Sequence, residues 1–556
     1  MRTQCIINNL KFNDGSELKV SPNDIVVFVG ANNCGKTQSL KDIEQGVVNS
    51  EQTVVVKEVK YSVNNLQTLE DELRSVSSFD KQNNHYSGYG YNLYAGTLNQ
   101  ISEHSFGYSG GSKYFIKRLE TKDRLGLCNP VGVIDRDEPK SHPIHYIVND
   151  KKLRDKIDKS FHLAFGKHLQ LERFGGRTNF LRIGNAIPRL TIAGCSLDAD
   201  IDHANAIMNT YPKLHEQGDG MVSFTGILLS LLIPNFSIHL LDEPEAFLHP
   251  PQARILGTVI PELIEGKQAF VSTHSEHLIN GLLESAPERI KVVRISRNAN
   301  NNTFSIIDTE KISEIWKDTL LRQSNVFQGL FYDSVVICES DSDCQFYSSI
   351  HSCIKEKNGM RERPFYVYSS TKSRMKVIVN ALKPLNVSIR VVADLDLLRE
   401  KADAQSLYEA CGGVWADIDE DFSLLTNSLK DDKNTISKED LKQLFLSLLD
   451  SIDKDEYDRK ALKDLKSQLS LEYKWKALKE NGIIALPDDA KEPFKKIHDA
   501  FTLNNIYLVP RGQLEGFVPI VKGHGPRWVA SVFEKYPDFN DGVYADAISF
   551  IESWQV

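Results

Sequence analysis

The chain has 556 residues, too many for a single hydrophobic core, so two to four domains are expected. Hydrophobic residues make up 41% of it and charged residues 25%, as in a soluble globular protein, and the net charge of −9 argues against a protein that coats nucleic acid with a uniformly basic surface. The eight cysteines form no CxxC pair, which argues against structural zinc and a disulfide framework. No apolar run is long enough to cross a bilayer and no signal peptide is evident, so we expect a cytoplasmic protein.

The first part of the sequence predicts strands that alternate with helices. A strand at Ile25–Val29 leads into a glycine loop, a helix follows from residue 36 to about 48, and another strand is expected at residues 53–60. Residues 80–112 are rich in Gly, Ser, Asn and Tyr, which indicates a long loop or hairpin insertion. The tyrosines of this insertion either pack it onto its own domain, the more common arrangement, or stack on bases. They are Tyr86, Tyr89, Tyr91 and Tyr94.

Helical patterns dominate three later regions. A basic amphipathic helix is predicted at residues 150–170 and is interpreted as part of an arm. A leucine-rich helix follows Gly220, and a highly charged helical region covers about 400–500. Further strands are predicted at residues 237–241, 269–272, 291–296, 303–308, 334–338, 388–393 and 506–509.

A phosphate-binding motif follows the first buried strand. Residues 30–37 read Gly-Ala-Asn-Asn-Cys-Gly-Lys-Thr, which matches G-x4-G-K-[ST] between a strand and a helix. The glycines let backbone N–H groups face the phosphates, Lys36 supplies a positive charge, and the Thr37 hydroxyl is placed to reach Mg²⁺. The predicted contacts with ATP in this segment are Gly30, Asn33, Gly35, Lys36, Thr37 and Gln38.

Two later strand ends complete a predicted ATPase site. The apolar strand at residues 237–241 ends in Asp242, which is suited to hold the Mg²⁺ of ATP, and Glu243 is placed to polarise the attacking water. His274 ends the next strand, beside the same crevice, and is a candidate contact with the γ-phosphate. A Gly-Asp-Gly segment around Asp219 precedes the leucine-rich helix.

With these motifs the first half resembles an ABC-type ATPase of the branch that includes SMC and Rad50-like proteins. The resemblance rests on the phosphate loop, on the run Leu-Asp-Glu-Pro-Glu-Ala-Phe-Leu-His-Pro that contains Asp242, and on the Ser-Thr-His-Ser segment around His274. It implies a pair of ATPase heads that sandwich ATP with a signature loop from the opposite subunit. The signature candidate has Asp219 where the family usually has Ser, and the negative charge of Asp219 would repel a γ-phosphate. Gln100 is the candidate for the family's glutamine contact.

Carboxylates cluster after two strands of the second half. Glu339 and Asp343 follow the strand at 334–338, and Asp394 and Asp396 follow the strand at 388–393. Carboxyl ends of adjacent parallel strands meet in one crevice, where four like charges repel unless a cation lies between them. Oxygen ligands at this density suit Mg²⁺ or Mn²⁺. The alternative is that each acid caps the helix after its strand, which explains one or two of them.

The second half resembles a Toprim domain, the fold shared by topoisomerases, primases and some nucleases. Glu339 and the Asp394/Asp396 pair match the family's glutamate and D-x-D, and Asp343 matches an additional acid of its nuclease members. Glu515 resembles a further metal-binding acid, and Ser340 replaces a common glycine. The implied chemistry is two-metal phosphodiester hydrolysis with ions about 3.5–4 Å apart, in which a nearby basic residue stabilises the negatively charged transition state. The candidates for that basic residue are Lys522 and, second to it, Arg527.

Together the two halves resemble the overcoming-lysogenization-defect (OLD) family of nucleases. The resemblance predicts an α/β chain with an ABC-type ATPase at 1–325, an arm or dimerisation insertion at about 145–215, and a Toprim nuclease domain at 330–556 with a helical insertion at about 400–500. It implies DNA as substrate, ATP and Mg²⁺ or Mn²⁺ as cofactors, and dimers or higher homo-oligomers through the ATPase half. It also implies a role in bacterial defence against phage, with a helicase or a retron reverse transcriptase and its DNA as possible partners, and no membrane.

Other functions remain open on the sequence. A nucleotide-switched DNA-binding or scaffold protein without turnover at the acidic site is the main alternative; the intact set of acids argues against it, and Ser340 and Asp219 keep it open. A topoisomerase would need a tyrosine nucleophile in a separate DNA-binding module, and a primase would bring a zinc module. The sequence offers neither module.

Overall fold

In the computed structural model of the protein, the described residues are 2–47, 53–107, 110–135, 138–172, 176–186, 206–298, 301–307, 309–318, 321, 326–359, 363–430, 438–450 and 473–555. The chain divides into two compact units, Met1–Arg322 and Gln323–Val556. Both units combine helices with β-sheets, so the predicted α/β class is confirmed.

The first unit is built on a six-stranded sheet with smaller sheets around it. Its strands are β1 Gln4–Phe12, β2 Glu17–Lys19, β3 Ile25–Val29, β4 Val56–Asn64, β5 Ser78–Asp80, β6 His85–Gly88, β7 Tyr91–Tyr94, β8 Ile116–Leu119, β9 Val131–Gly132, β10 His168–Glu172, β11 Thr178–Gly184, β12 Ile238–Asp242, β13 Gln268–Ser272, β14 Ile290–Asn298 and β15 Asn301–Ile307. Its helices are α1 Lys36–Val47, α2 Leu69–Val76, α3 Thr121–Gly126, α4 Pro143–Val148, α5 Lys151–Phe165, α6 Asp219–Leu231, α7 Pro250–Leu263, α8 Glu276–Ser285 and α9 Thr309–Lys317.

The order of the central sheet brings three loops to one edge. The strands lie in the order β15-β14-β3-β13-β12-β8, and all neighbours are parallel except the antiparallel hairpin of β14 and β15. Every residue of β3 and β13 is buried, as expected for strands covered on both faces. Because β13 lies between β3 and β12, the loop after β13 lies between the phosphate loop and Asp242.

Two elements of the first unit differ from the sequence prediction. The strand predicted at 53–60 begins only at Val56, because the N–H groups of Val54, Val55 and Val56 donate to the buried carboxylate of Asp42 instead of to a sheet. The helix predicted at 150–170 ends at Phe165, because Gly166 adopts a left-handed conformation that stops it.

The tyrosine-rich segment forms a small antiparallel sheet of β5, β6 and β7. Tyr86 and Tyr91 are buried in the core of the unit, and the Tyr91 hydroxyl lies 2.8 Å from Ser77 Oγ. The packing interpretation is therefore confirmed for these two residues. Tyr94 remains 43% exposed.

The helix that the sequence assigns to an arm packs on the body of the first unit. The Lys156 ammonium donates to the carbonyl of Glu262 in α7 at 3.0 Å, and the ring of Phe165 meets that of Phe224 in α6 with centroids 5.3 Å apart. Of the arm predicted at 145–215, residues 173–175 and 187–205 lie outside the described residues.

The second unit contains a four-stranded parallel sheet in the order β17-β16-β18-β19. These strands are β16 Ser334–Cys338, β17 Pro364–Tyr368, β18 Ser388–Ala393 and β19 Ile506–Leu508. The helices are α10 Asp341–Asn358, α11 Lys372–Leu382, α12 Lys401–Cys411, α13 Asp419–Ser428, α14 Lys438–Asp450, α15 Tyr473–Asn481, α16 Asp488–Leu503, α17 Gly525–Lys535 and α18 Ala545–Glu552. Helices α12 to α16 form the region predicted as a helical insertion, of which residues 431–437 and 451–472 lie outside the description.

The chain leaves β16 in one direction, to β17, and later returns to place β18 on the other side. The crevice between the carboxyl ends of β16 and β18 is therefore a topological switch point, the usual place for ligands in open α/β sheets.

Candidate nucleotide and metal sites

The phosphate loop lies between β3 and α1, as the motif predicts. Gly30 and Gly35 adopt φ angles of 140° and 111°, which side chains rarely tolerate. A Cβ on Gly30 would lie 2.2 Å from the carbonyl oxygen of Ile295 in the adjacent strand. The Lys36 ammonium is buried and donates to the carbonyl oxygens of Gly30 at 2.9 Å and Ala31 at 3.0 Å. The loop is thus shaped by its own backbone and by the lysine.

Replacement of Gly30 by Ala is expected to disrupt this loop. The added methyl group meets backbone rather than a movable side chain, so we expect the free energy of unfolding of the first unit to fall by about 2 kcal/mol or more, with loss of ATP binding. Denaturant unfolding and titration with a fluorescent ATP analogue measure both effects. Gly126→Ala is the matched control, because a Cβ there meets nothing within 4 Å. Wild-type ATP affinity in Gly30→Ala would contradict the expectation.

Asp242 ends β12 opposite Ser272 of β13. Its Oδ1 accepts hydrogen bonds from Thr37 Oγ1 at 2.9 Å and from Ser272 Oγ at 2.5 Å. Thr37 and Asp242, the two residues predicted to share the Mg²⁺ of ATP, are therefore in direct contact. A hydroxyl and a carboxylate oxygen fit the ligand preferences of that ion.

Glu243 has an unusual backbone conformation, with a φ of 44°. Its N–H donates to the carbonyl of Ser272 at 3.0 Å, and its carbonyl accepts from the guanidinium of Arg124 at 3.0 Å. Arg124 is 1% exposed; burial lowers the pKa of its guanidinium, against the attraction of Glu245, Asp242 and Glu243. A non-glycine residue at positive φ persists only where its surroundings hold it, so the backbone here fixes where the Glu243 carboxylate points. Sequence reasoning missed Arg124.

His274 lies beside Glu243 at the end of β13. Its Nδ1 is 3.6 Å from Glu243 Oε1 and 3.4 Å from Glu245 Oε1. Glu245 Oε1 also accepts from Thr273 Oγ1 at 2.6 Å and from the His274 N–H at 3.0 Å, whereas its buried Oε2 has no partner among the described residues. Burial raises the pKa of Glu245. Glu245, which sequence reasoning also missed, therefore holds His274 in place.

These groups surround one cavity of about 910 Å³. Its lining includes seven of the residues predicted to act on ATP: Asn33, Gly35, Lys36, Thr37, Gln38, Glu243 and His274. Gly30 and Asp242 lie directly behind it, bonded to Lys36 and Thr37. The Gln38 amide is held by Asp42 at 2.7 Å. Gln100 is exposed and does not line the cavity.

The acidic residues of the second unit meet at the switch point between β16 and β18. Ligand oxygens of Glu339, Asp394 and Asp396 lie within 4.8 Å of one another. The Oε2 atom of Glu339 is buried and has no hydrogen-bond partner in the described part of the chain. A buried carboxylate oxygen without a donor, beside two other carboxylates, fits a divalent cation.

The electrostatics of the cluster support the same conclusion. Burial raises the pKa of Asp394 well above its usual range, and repulsion by Asp343, Glu339 and Asp396 adds to it. Burial is also the main cause that raises the pKa of Glu339 and of Asp343. A bound cation would reverse this effect by stabilising the ionised carboxylates.

Asp343 and Glu515 are partly engaged in helix capping. Asp343 Oδ2 accepts from the N–H of Ser340 at 2.7 Å and from its hydroxyl at 2.9 Å, in a capping box at the start of α10. Glu515 Oε1 accepts from the N–H of Gly525 at 2.9 Å and lies 3.4 Å from His524 Nδ1. The capping alternative is thus confirmed for Asp343. Repulsion by Glu515 adds to burial in raising the pKa of Asp343.

Two lysines that the sequence did not indicate contact Asp396. Lys372, at the start of α11, forms an ion pair with Asp396 Oδ1, and Lys479 of α15 lies 2.8 Å from Oδ2. Burial tends to raise the pKa of Asp396, but hydrogen bonds from both lysines outweigh it and leave the pKa below its usual range. Lys522, the predicted basic residue of the site, is exposed, as is Arg527, and no contact with the acids is found for either among the described residues. Lys372 and Lys479 are thus further cations at the acidic cluster, and the role of Lys522 stays a prediction.

Part of the nucleotide site lies in a segment that is similar to a known family. Residues 198–280 match the family described as "AAA domain, putative AbiEii toxin, Type IV TA system". The matched segment contains Asp242, Glu243 and His274, which line or support the cavity behind the phosphate loop. This segment of the chain is similar to an AAA-type ATPase domain.

Solved structures similar to the chain are ATPase heads and cassettes. The Smc head bound to the winged-helix domain of ScpA is 13% identical, covering 55% of this chain and 99% of that chain with a TM-score of 0.33. The SMC head domain from Thermotoga maritima is 16% identical, covering 55% and 100% with a TM-score of 0.28. The ADP conformation of an ATP-binding cassette of an ABC transporter is 12% identical, covering 58% and 96% with a TM-score of 0.25. No curated protein matches the chain.

Within the ATPase domain, Asp219 stands apart from the cavity. It is exposed in the first turn of α6 and does not line the nucleotide cavity. The next residue, Gly220, packs so closely that a Cβ would lie 2.7 Å from the carbonyl of Phe247.

The described helices of the chain include none that is both long and apolar enough to cross a membrane.

Proposed function

We propose that the chain is an ATP-regulated, divalent-metal-dependent DNA endonuclease or nickase of the OLD type, with its nuclease centre in a Toprim domain formed by the second unit. The observation that carries the proposal is the cluster of Glu339, Asp394 and Asp396 at the switch point of a parallel sheet, with a Glu339 oxygen that is buried and unpartnered. Structural acids would be expected to have donors of their own.

The residues proposed to hold the Mg²⁺ or Mn²⁺ ions are Glu339, Asp343, Asp394, Asp396 and Glu515. When bound, these ions activate water and stabilise the oxygen that leaves the phosphodiester. The Asp394 carboxylate is buried among like charges, so a cation would stabilise its ionised form. Asp396, paired with two lysines, balances charge at the edge of the same cluster.

The ATPase half is proposed to control this centre. Lys36 binds the phosphates of ATP, while Thr37 and Asp242 hold its Mg²⁺. Glu243 accepts a proton from the water that attacks the γ-phosphate, and His274 contacts that phosphate. The family match names a putative AbiEii toxin, and this supports a place in bacterial defence against phage. Homo-oligomers through the ATPase half, with a helicase or a retron reverse transcriptase and its DNA as partners, belong to the same proposal.

The test is cleavage of supercoiled plasmid by the purified chain with Mg²⁺ or Mn²⁺. We expect nicked or linear products. The cleavage rates should differ by at least about threefold between ATP, a non-hydrolysable analogue and no nucleotide. A nucleotide controls cleavage only if it binds the active and the inactive conformation with different affinity. Identical rates in all three conditions would refute nucleotide control. No products with either metal would refute the nuclease.

One observation favours the alternative, a nucleotide-switched DNA-binding or scaffold protein. Both oxygens of Asp396 are paired with lysines, so this acid is less open to a metal than its neighbours. The alternative predicts ATP-dependent retention of DNA with no cleavage by any divalent metal. The plasmid assay therefore separates the two functions.

A further inference from the structure

Lys479 reaches the acidic site from the helical insertion. Its helix, α15, precedes α16, the last helix of the insertion before β19, and its ammonium lies 2.8 Å from Asp396 Oδ2. Its side chain is 43% exposed, whereas that of Asp396 is 17% exposed. The lysine therefore stands at the mouth of the acidic cluster, with its charge shared between Asp396 and solvent.

Close backbone contacts hold this lysine in place. Gly512, in the loop after β19, has a φ of 89°, and a Cβ there would lie 2.2 Å from the carbonyl oxygen of Lys479. The Gly512 carbonyl accepts from the N–H of Leu395, which stands between Asp394 and Asp396. The insertion is thus fastened to the turn that carries the acids.

A second close backbone contact joins the residues just after α15 to the loop after β19. Gly482, which follows α15, has a φ of 70°, and a Cβ there would lie 2.2 Å from the carbonyl of Pro510. The N–H of Ile483 donates to that same carbonyl at 3.0 Å. Two glycines at positive φ in such contacts indicate that the position of α15 is specified rather than incidental.

The charges of the site require a cation of this kind. The five acids Glu339, Asp343, Asp394, Asp396 and Glu515 would repel the negative charge of a phosphodiester, and two divalent ions would not fully neutralise them. Lys372 and Lys479 supply the two further positive charges. A lysine ammonium has three donors, and Lys479 uses one for Asp396; no other partner of it is found among the described residues.

We propose that Lys479, with Lys372, contacts the phosphodiester backbone of DNA at the acidic site, so that the helical insertion forms part of the substrate-binding surface. The assignment rests on the proposed nuclease function. Lys372 is the more enclosed of the two, with 22% of its side chain exposed, and supports the phosphate from the α11 side. Asp396 acts as a positioning residue that orients both ammonium groups.

The test compares Lys479→Met with wild-type protein in DNA binding, with Ca²⁺ in place of the cleavage metal. We expect the affinity for a short duplex to fall about tenfold. The slope of log affinity against log salt should become shallower by about 0.9, as for one lost phosphate contact. In cleavage, KM should rise more than kcat falls. Lys479→Arg, which keeps the charge, should retain most of the affinity, and Lys372→Met should show the same direction of change as Lys479→Met.

Lys496→Met is the matched control, because Lys496 also belongs to the insertion and pairs with an aspartate, Asp421, at 3.0 Å. It should bind DNA as wild type does. Wild-type affinity, salt slope and KM in Lys479→Met would overturn the inference if Asp394→Asn has lost cleavage. Cleavage that survives Asp394→Asn would instead overturn the proposed function, and with it the inference.

Discussion

Replacement of Asp394 by Asn should abolish metal-dependent DNA cleavage, with a fall in rate of at least about 10³-fold. A metal ligand at the reacting phosphate contributes several kcal/mol to the transition state, and each loss of about 1.4 kcal/mol slows a reaction tenfold. Asn has the shape of Asp without its charge, so the cluster keeps its packing. Gel assays on supercoiled plasmid measure the rate, and titration with Mn²⁺ measures the expected loss of metal affinity.

The same variant should be more stable than wild type in the absence of metal. The folded-state pKa of Asp394 lies above its unfolded value, chiefly because of burial. The unfolded state therefore binds fewer protons between those two values, and the stability of the folded state falls as the pH rises through them. At neutral pH the folded state must either bury the Asp394 charge or bind a proton that the unfolded state does not bind; Asn removes this cost and should raise the free energy of unfolding by on the order of 1–3 kcal/mol.

Thermal unfolding in EDTA between about pH 5 and pH 8 tests this expectation. The relevant transition is the one that Mn²⁺ shifts in the wild-type protein. Asp394→Asn should lose less stability than wild type as the pH rises. Asp341→Asn is the control, because Asp341 is an exposed acid in the same helical turn as Asp343. A lower Tm for Asp394→Asn at neutral pH, or cleavage at the wild-type rate, would contradict the assignment of Asp394.

Replacement of Glu243 by Gln should stop ATP turnover while ATP remains bound. Loss of a general base commonly slows a reaction by about 10²–10⁴-fold. Binding should persist, because the phosphate loop and Lys36 do not depend on the Glu243 side chain. The backbone of Glu243 should also keep its conformation, because the N–H and the carbonyl of Glu243 bond to Ser272 and to the Arg124 guanidinium without its side chain. Phosphate release and binding of a fluorescent ATP analogue measure the two properties separately.

The matched control is Glu284→Gln, which removes an exposed carboxylate that pairs with Arg254 on the surface of the first unit. It should hydrolyse ATP at the wild-type rate. If ATP controls the nuclease, Glu243→Gln with ATP should cut DNA at the rate of the wild-type protein with a non-hydrolysable analogue. ATP turnover at the wild-type rate in Glu243→Gln would refute the role of Glu243.

Much of the nucleotide site could be predicted because it is encoded by local sequence. The phosphate loop needs glycines and a lysine at fixed spacing between a strand and a helix, and the structure brings Lys36 and Thr37 to the same cavity as Glu243. The strands at Ile25–Val29, Ser334–Cys338 and Ser388–Ala393 have the predicted bounds, because a continuous apolar run ended by polar residues specifies a buried strand.

The groups that support each site could not be predicted. Arg124 contacts Glu243 across 119 positions of sequence, and Lys479 contacts Asp396 across 83. No periodicity or motif spacing links residues so far apart, since their meeting depends on how helices and strands pack. The strand Pro364–Tyr368, which brings Lys372 to the acids, was also missed.

The sequence by itself determined which residues are proposed to carry the chemistry: a phosphate loop, two acids after an apolar strand, and carboxylates at the ends of two other strands. These depend on neighbours along the chain, where side-chain period and backbone preference act directly. The tertiary structure alone decided which charges are compensated. Glu339 keeps a buried oxygen without a partner, whereas Asp396 is held by two lysines, because burial and long-range packing set the surroundings of each carboxylate.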